Sequence, residues 1–172
     1  AAGYRTPAKN KYCLKAMSDC PKFVTDATLG KLAKWLRLLG YDTRVYPKEA
    51  GRELLRLAQA ESRIVLTKRV DMRERQFAGI LLLLTQNDVA LQLKEVIEKF
   101  PLKIEKNKMF GICLKCNHPL EPVEANEVRE LVPAYVFEHC QAFNRCLGCR
   151  GIFWEGTHQR NSLQFLQKHG II

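Results

Sequence analysis

Two cysteine pairs of identical spacing, Cys113-Leu-Lys-Cys116 and Cys146-Leu-Gly-Cys149, constrain this chain more than any other feature of it. A CxxC turn brings two thiolates within reach of one ion. Two such turns close a tetrahedral site with no open position, so the pattern predicts a structural Zn2+ held by Cys113, Cys116, Cys146 and Cys149. Gly148 is expected to serve the turn of the second pair. His118, His139 and Cys140 are neighbouring alternatives as ligands, and each reads as an ordinary surface or core residue. The interval between the pairs is longer than a minimal ribbon needs, which predicts an inserted segment punctuated by Pro119, Pro122 and Pro133. Ile152 to Trp154 reads as a strand after the second pair.

Upstream of the cysteines, apolar runs alternate with helical periodicity. Phe23 to Thr25 predicts a short buried strand, with Asp26 at its carboxyl end and Thr28 as the cap of a helix. Leu29, Leu32, Ala33, Leu36 and Leu39 then share one helical face, Lys31, Lys34 and Arg37 lie off it, and Gly40 ends it. Asp42 to Pro47 predicts a second strand. Gly51 to Arg63 predicts a helix with Leu54, Leu57 and Ala58 inward, and Ile64 to Thr67 a third strand. A short helix over 71–77, a strand over Ile80 to Leu84 and a helix from Asp88 to Phe100 complete the unit. Strands and helices in strict alternation specify an α/β fold with a doubly wound parallel sheet. The expected organisation is a basic arm over 1–21, an α/β domain over 22–100 and a zinc-ribbon domain over 101–172.

In such a sheet, ligands bind outside the carboxyl ends of the strands. Asp26, Asp42, Glu49, Glu53, Asp71 and Asp88 are the acids that could gather there, and clustered carboxylates are expected to hold Mg2+ or Mn2+ for phosphodiester hydrolysis. The third strand, however, ends in Lys68 and Arg69 rather than in an acid.

The net charge of +10 is concentrated at the front, where residues 1–40 hold eight Lys or Arg against Asp19 and Asp26 alone. A basic arm leading into a basic helix face predicts binding to a polyanion, because Lys and Arg gain by displacing its counterions. Trp154, His158 and Arg160 follow the second cysteine pair and could stack on bases and grip phosphates. The longest apolar run, Ile80 to Leu84, is far too short to span a bilayer. Seven cysteines without a leader-like start lead us to expect a reducing, cytoplasmic setting, perinuclear granules included. They also predict free thiols at Cys13 and Cys20, both buried. The opening AAGYRTPAKN has no initiator Met, so the chain is expected to be part of something longer.

The succession VTDATLGKLAKWLRLLGYDT, RIVLT, CLKC followed by Asn117, and FNRCLGCRGIFWEGTH resembles one family closely. It is the PIN-like ribonuclease domain with a zinc ribbon, found at the carboxyl terminus of the Mut-seven and Nibbler exonucleases and as free-standing prokaryotic proteins. The likeness spans about residues 22–160. It implies that Asp26 matches the family's first acid, that the four cysteines match its zinc ligands, and that Trp154, Gly156 and His158 match its closing residues. Where the family carries an Asp after its third strand, this chain has Arg69, with Asp71 two residues on.

The resemblance implies a C-terminal RNA-binding and docking module of a 3′–5′ exoribonuclease that trims small RNAs. Lys31, Lys34, Arg37, Arg69, Trp154, His158 and Arg160 would contact single-stranded or small RNA, and the partner would be a protein of an RNA-silencing complex. Two competing expectations are an active Mg2+- or Mn2+-dependent ribonuclease using Asp26, Glu53 and Asp71, and a platform that docks a partner protein on the ribbon insertion.

Overall fold

The structure is a computed structural model that describes residues 20–172. The expected arm, its helical turn and Cys13 lie outside the described residues, apart from Cys20 and Pro21. Cys20 is exposed, which corrects its expected burial: it sits in a bend ahead of the first buried strand position, Phe23.

Four short strands, β1 (Phe23–Thr25), β2 (Thr43–Val45), β3 (Ile64–Thr67) and β4 (Leu81–Leu83), form a parallel sheet in the order β2-β1-β3-β4. The helices between them are α1 (Gly30–Leu38), α2 (Arg52–Ala60) and α3 (Val70–Arg73), followed by α4 (Val89–Lys99). Alternation along β1 and β3 divides the interior in two. Phe23, Ile64 and Leu66 pack with Leu32 and Leu36 of α1 and Leu93 of α4, while Val24 and Val65 pack with Leu54 and Ala58 of α2 and Met72 of α3. Both faces of the central strands are thereby covered, which is why these strands read as unbroken apolar runs.

Local details differ from expectation in ways the geometry explains. The cap is Asp26 rather than Thr28: the Asp26 carboxylate accepts from Thr28 N at 2.9 Å and starts a 3-10 turn over Ala27–Leu29, from which α1 continues. On α2 Leu55 is buried along with the expected Leu54 and Ala58, and Leu57 is only half-buried. Gly40 does end α1, at φ +92°, and a Cβ there would lie 2.7 Å from the Lys108 carbonyl oxygen. That close approach, with Phe110 N donating to Leu38 O at 2.9 Å, ties the end of α1 to the segment leading into the first cysteine pair.

A second, antiparallel sheet of β5 (Leu120–Val123), β6 (Phe143–Cys146) and β7 (Ile152–Trp154) runs in the order β5-β6-β7. The inserted segment folds as α5 (Ala125–Val128) and α6 (Ala134–His139), whose Val128 and Val136 make a small core with Phe143. The chain then returns to the first core as α7 (Thr157–Lys168), a helix that the sequence pattern does not predict. Leu166 is fully buried in that core, and Phe165 stacks on Trp35 of α1 with ring centroids 4.4 Å apart. Among the described residues no helix is long and apolar enough to cross a membrane.

Asp42 lies just before β2, at the amino edge of the sheet, so it is not among the acids of the carboxyl edge as the sequence suggests. Arg63 clamps it there with hydrogen bonds of 2.7 and 3.0 Å and also reaches the Phe23 carbonyl at 3.1 Å. Burial works to raise the Asp42 carboxyl, but hydrogen bonds from Arg63 and Asn117 outweigh it and hold the group below the usual carboxylate range. A depressed folded value means that the stabilisation is complete above the ordinary range and is lost as pH falls from that range through the lower folded value. Asp42→Asn is expected to lower stability by about 2 kcal/mol at neutral pH, below the full cost of severing a buried pair because Arg63 keeps other partners. Urea midpoints measured from pH 7 downward should show the two proteins converging as acid protonates the parent.

Candidate functional site

Each cysteine pair sits on a tight turn closed by backbone hydrogen bonds. In the first, Cys113 N donates to His118 O at 2.8 Å, Asn117 N donates to Cys113 O at 3.0 Å, and an Ile112–Pro119 bridge seals the base. In the second, Cys146 N donates to Gly151 O at 3.0 Å and Arg150 N to Cys146 O at 3.1 Å. The residue after each second cysteine turns left-handed, Asn117 at φ 66° and Arg150 at φ 60°, so the two knuckles share one backbone design. Gly148 serves proximity more than turn geometry, since a Cβ there would lie 2.5 Å from His118 Nδ1.

The four sulfur atoms lie within 4.8 Å of one another, with Cys113 and Cys149 at 3.7 Å and Cys116 and Cys146 at 3.3 Å. A tetrahedral ion with metal–sulfur bonds of about 2.3 Å needs sulfur–sulfur edges of about 3.8 Å, so the donor set fits one metal ion. Backbone N–H groups of Gly148 and Cys149 point at Cys146 Sγ, at 3.3 and 3.4 Å, and would temper thiolate charge. Burial pushes the Cys113 thiol up to about 12, so an ion entering the site must displace a proton. Neither His118, whose Nδ1 faces the Cys116 carbonyl, nor His139 nor Cys140 belongs to the group.

The first knuckle is joined to the parallel sheet through two side chains. Arg37 is 5% exposed, so it does not lie off the packed face of α1 as the periodicity suggests. Its Nε donates to the Thr43 carbonyl at 2.8 Å, and one terminal nitrogen reaches the Leu114 and Lys115 carbonyls at 2.8 and 3.3 Å. Asn117 accepts from Thr43 N at 2.8 Å and donates to Asp42. The guanidinium can turn inward because three carbonyl oxygens there replace water; a helical periodicity confined to α1 contains no sign of them. Lys31 and Lys34, by contrast, are exposed on α1.

At the carboxyl edge, Asp26 is 3% exposed and accepts from Thr28 and, at 2.7 Å, from the Thr67 hydroxyl. It thus joins the ends of β1 and β3, between which the chain direction across the sheet reverses. Thr67 Oγ1 also accepts from Arg69 N at 3.1 Å. The Arg69 guanidinium bonds Asp71 at 2.9 Å and Glu49 at 3.1 Å, and Arg75 reaches Asp71 at 3.0 Å. Hydrogen bonds from Arg69 and Arg75 hold the Asp71 carboxyl below its usual range. Glu53 pairs with Arg56 on α2, and Asp88 caps α4 through Ala90 N and Leu91 N. Among the described residues the four cysteines are the sole group of three or more His, Cys, Asp or Glu placed to hold a metal ion, and Asp26, Glu53 and Asp71 form no such group.

Trp154 is half-buried against the small core of Val128, Val136 and Phe143, whereas His158 and Arg160 are exposed on the first turn of α7. Sequence reasoning missed Arg63, Asn117 and Lys115 as structural or surface partners of the site. The left-handed Asn directly after a CxxC pair was the available signal for Asn117.

A family model described as the Mut7-C RNAse domain matches residues 21–166. No curated protein and no solved structure matches the chain.

Protein purified without chelators is expected to carry one metal ion per chain. Elemental analysis giving less than about half an equivalent would contradict the reading of the four thiolates as a closed site. Cys146→Ser is expected to lose the ion and to unfold the antiparallel sheet, seen as collapse of the amide dispersion of β5 to β7.

Proposed function

The chain belongs to the Mut7-C RNAse domain family, and from that membership we propose that it is an RNA-binding and docking module of a 3′–5′ exoribonuclease that trims small RNAs, without a working cleavage site of its own. The observation that carries this reading is Arg69, whose guanidinium occupies the carboxyl end of the third strand and is bonded to both Asp71 and Glu49. Metal-dependent hydrolysis needs carboxylates whose repulsion is relieved by divalent ions. Here the neutralising charge is built into the chain, and Asp26 is satisfied by two threonines. A fixed cation at that position repels Mg2+ or Mn2+ and attracts phosphate.

The ion of the four thiolates is zinc in this reading, with a purely structural role, because a closed four-sulfur tetrahedron leaves no position for substrate. The cysteine usage supports a reducing, cytoplasmic setting. Leu131 and Tyr135 of the insertion, 62% and 68% exposed, support docking of a protein partner from an RNA-silencing complex on that side.

Labelled single-stranded RNA incubated with the protein is expected to bind with steep salt dependence and to remain intact with Mg2+ or Mn2+. Divalent-dependent cleavage that vanishes in Asp26→Ala would replace this reading with that of an active ribonuclease.

A further inference from the structure

A cleft of about 780 Å3 runs along α1, bounded on one side by β2 and on the other by the first cysteine knuckle. Five cationic residues line it: Lys31, Lys34 and Arg37 from α1, Arg44 from β2 and Lys115 from the knuckle. No acidic and no aromatic side chain among the described residues does so. Elsewhere in the chain Arg56, Arg63, Arg69, Arg75, Lys108 and Arg145 each pair with a carboxylate. Of the cleft cations only Arg44 is so paired, with Glu61. Lys31, Lys34 and Lys115 have no carboxylate partner among the described residues, and Arg37 donates to carbonyl oxygens at the cleft floor.

Like charges brought together in a concave surface repel one another, and the low-dielectric walls strengthen the field that they share. An anion relieves this. The cleft is broad and open to solvent, which suits an extended run of linked phosphates better than an enclosed small ligand. We propose that this cleft is a binding site for the sugar-phosphate backbone of single-stranded RNA, and that the metal-ordered knuckle is one of its walls. The proposal rests on the reading of the protein as an RNA-binding module. Two consequences follow from the lining. Without an aromatic platform the cleft cannot stack bases, so it grips phosphates irrespective of sequence. Because the Leu114 and Lys115 carbonyls are anchored on Arg37, Lys115 reaches the cleft only while the knuckle is folded.

Fluorescence anisotropy with labelled oligo-U and oligo-A at fixed salt tests this. The double variant Lys31→Glu, Lys34→Glu and the single variant Lys115→Glu are each expected to weaken binding at least tenfold, about 1.4 kcal/mol. The salt slope should fall by about one for each phosphate that is no longer gripped. Lys99→Glu with Lys106→Glu, exposed residues outside the cleft, should stay within about twofold of the parent, and oligo-U and oligo-A should bind alike. Metal content measured on every variant separates loss of charge from loss of the knuckle; the α1 variant, remote in sequence from the thiolates, keeps its full equivalent. If the parent binds RNA and the α1 variant binds equally well, the cleft is overturned while the RNA-binding reading stands. A parent that binds no RNA overturns both. A strong preference for oligo-A over oligo-U would show base readout and contradict a phosphate-only grip.

Discussion

The buried guanidinium of Arg37 is the contact on which the arrangement of this molecule depends. It lies on a helix of the parallel sheet, yet its acceptors belong to the edge strand β2 and to the first cysteine knuckle. Burial makes deprotonation of Arg37 easier than in water, and the three carbonyls, with the nearby Asp42 carboxylate, keep the cation in place. Asn117 completes the joint from the other side by accepting from Thr43 N and donating to Asp42, which Arg63 holds in turn. An exposed edge strand is a liability in any open sheet. Here the Thr43 N–H is taken by Asn117 of the knuckle and the Thr43 carbonyl by Arg37, which also holds the knuckle, so the four thiolates, the turn that they order and the edge of the sheet form one connected structure.

That joint also determines what the surface can do. With Arg37 turned inward, α1 presents Lys31 and Lys34 beside the knuckle's Lys115, and an open basic helix face becomes a walled cleft. At the nearby carboxyl edge the chemistry is of the opposite kind. Every acid there is already engaged, Asp26 by Thr28 and Thr67, Asp71 and Glu49 by Arg69. Membership of an RNAse domain family and an edge occupied by a guanidinium are compatible if the chain retains affinity for phosphate and has lost the divalent ions.

Short unbroken apolar runs and period-3.6 patterns made the parallel sheet legible: all four strands lie within the runs that place them, and of the alternating helices only α3 departs clearly, ending at Arg73 rather than at 77. The cysteine pairs were equally readable, since ligand spacing is local and sequence carries it directly. What could not be read depends on contacts distant in sequence. Arg37 lies 77 residues from Leu114, so its spacing on α1 pointed outward while its acceptors pulled it in. The helix α7 was missed because its buried side is narrow, with Leu166 alone fully covered, and its polar beginning THQRN resembles a turn. Asp42 is distinguished from the acids at the other edge only by whether it stands before or after a strand, a matter of one or two residues.

The central claim is that the metal-ordered knuckle and the edge of the parallel sheet form one unit. The Thr43 amide reports on it directly, because its hydrogen-bond acceptor is the Asn117 side chain rather than a neighbouring strand. Residue-resolved hydrogen exchange should be compared between metal-loaded protein and protein stripped by a chelator. The account requires Thr43 to lose protection together with residues 113–119, while the amides of β1 and β3 remain protected. If stripping frees the knuckle and leaves Thr43 as slow as before, the joint does not depend on the metal and the claim is wrong.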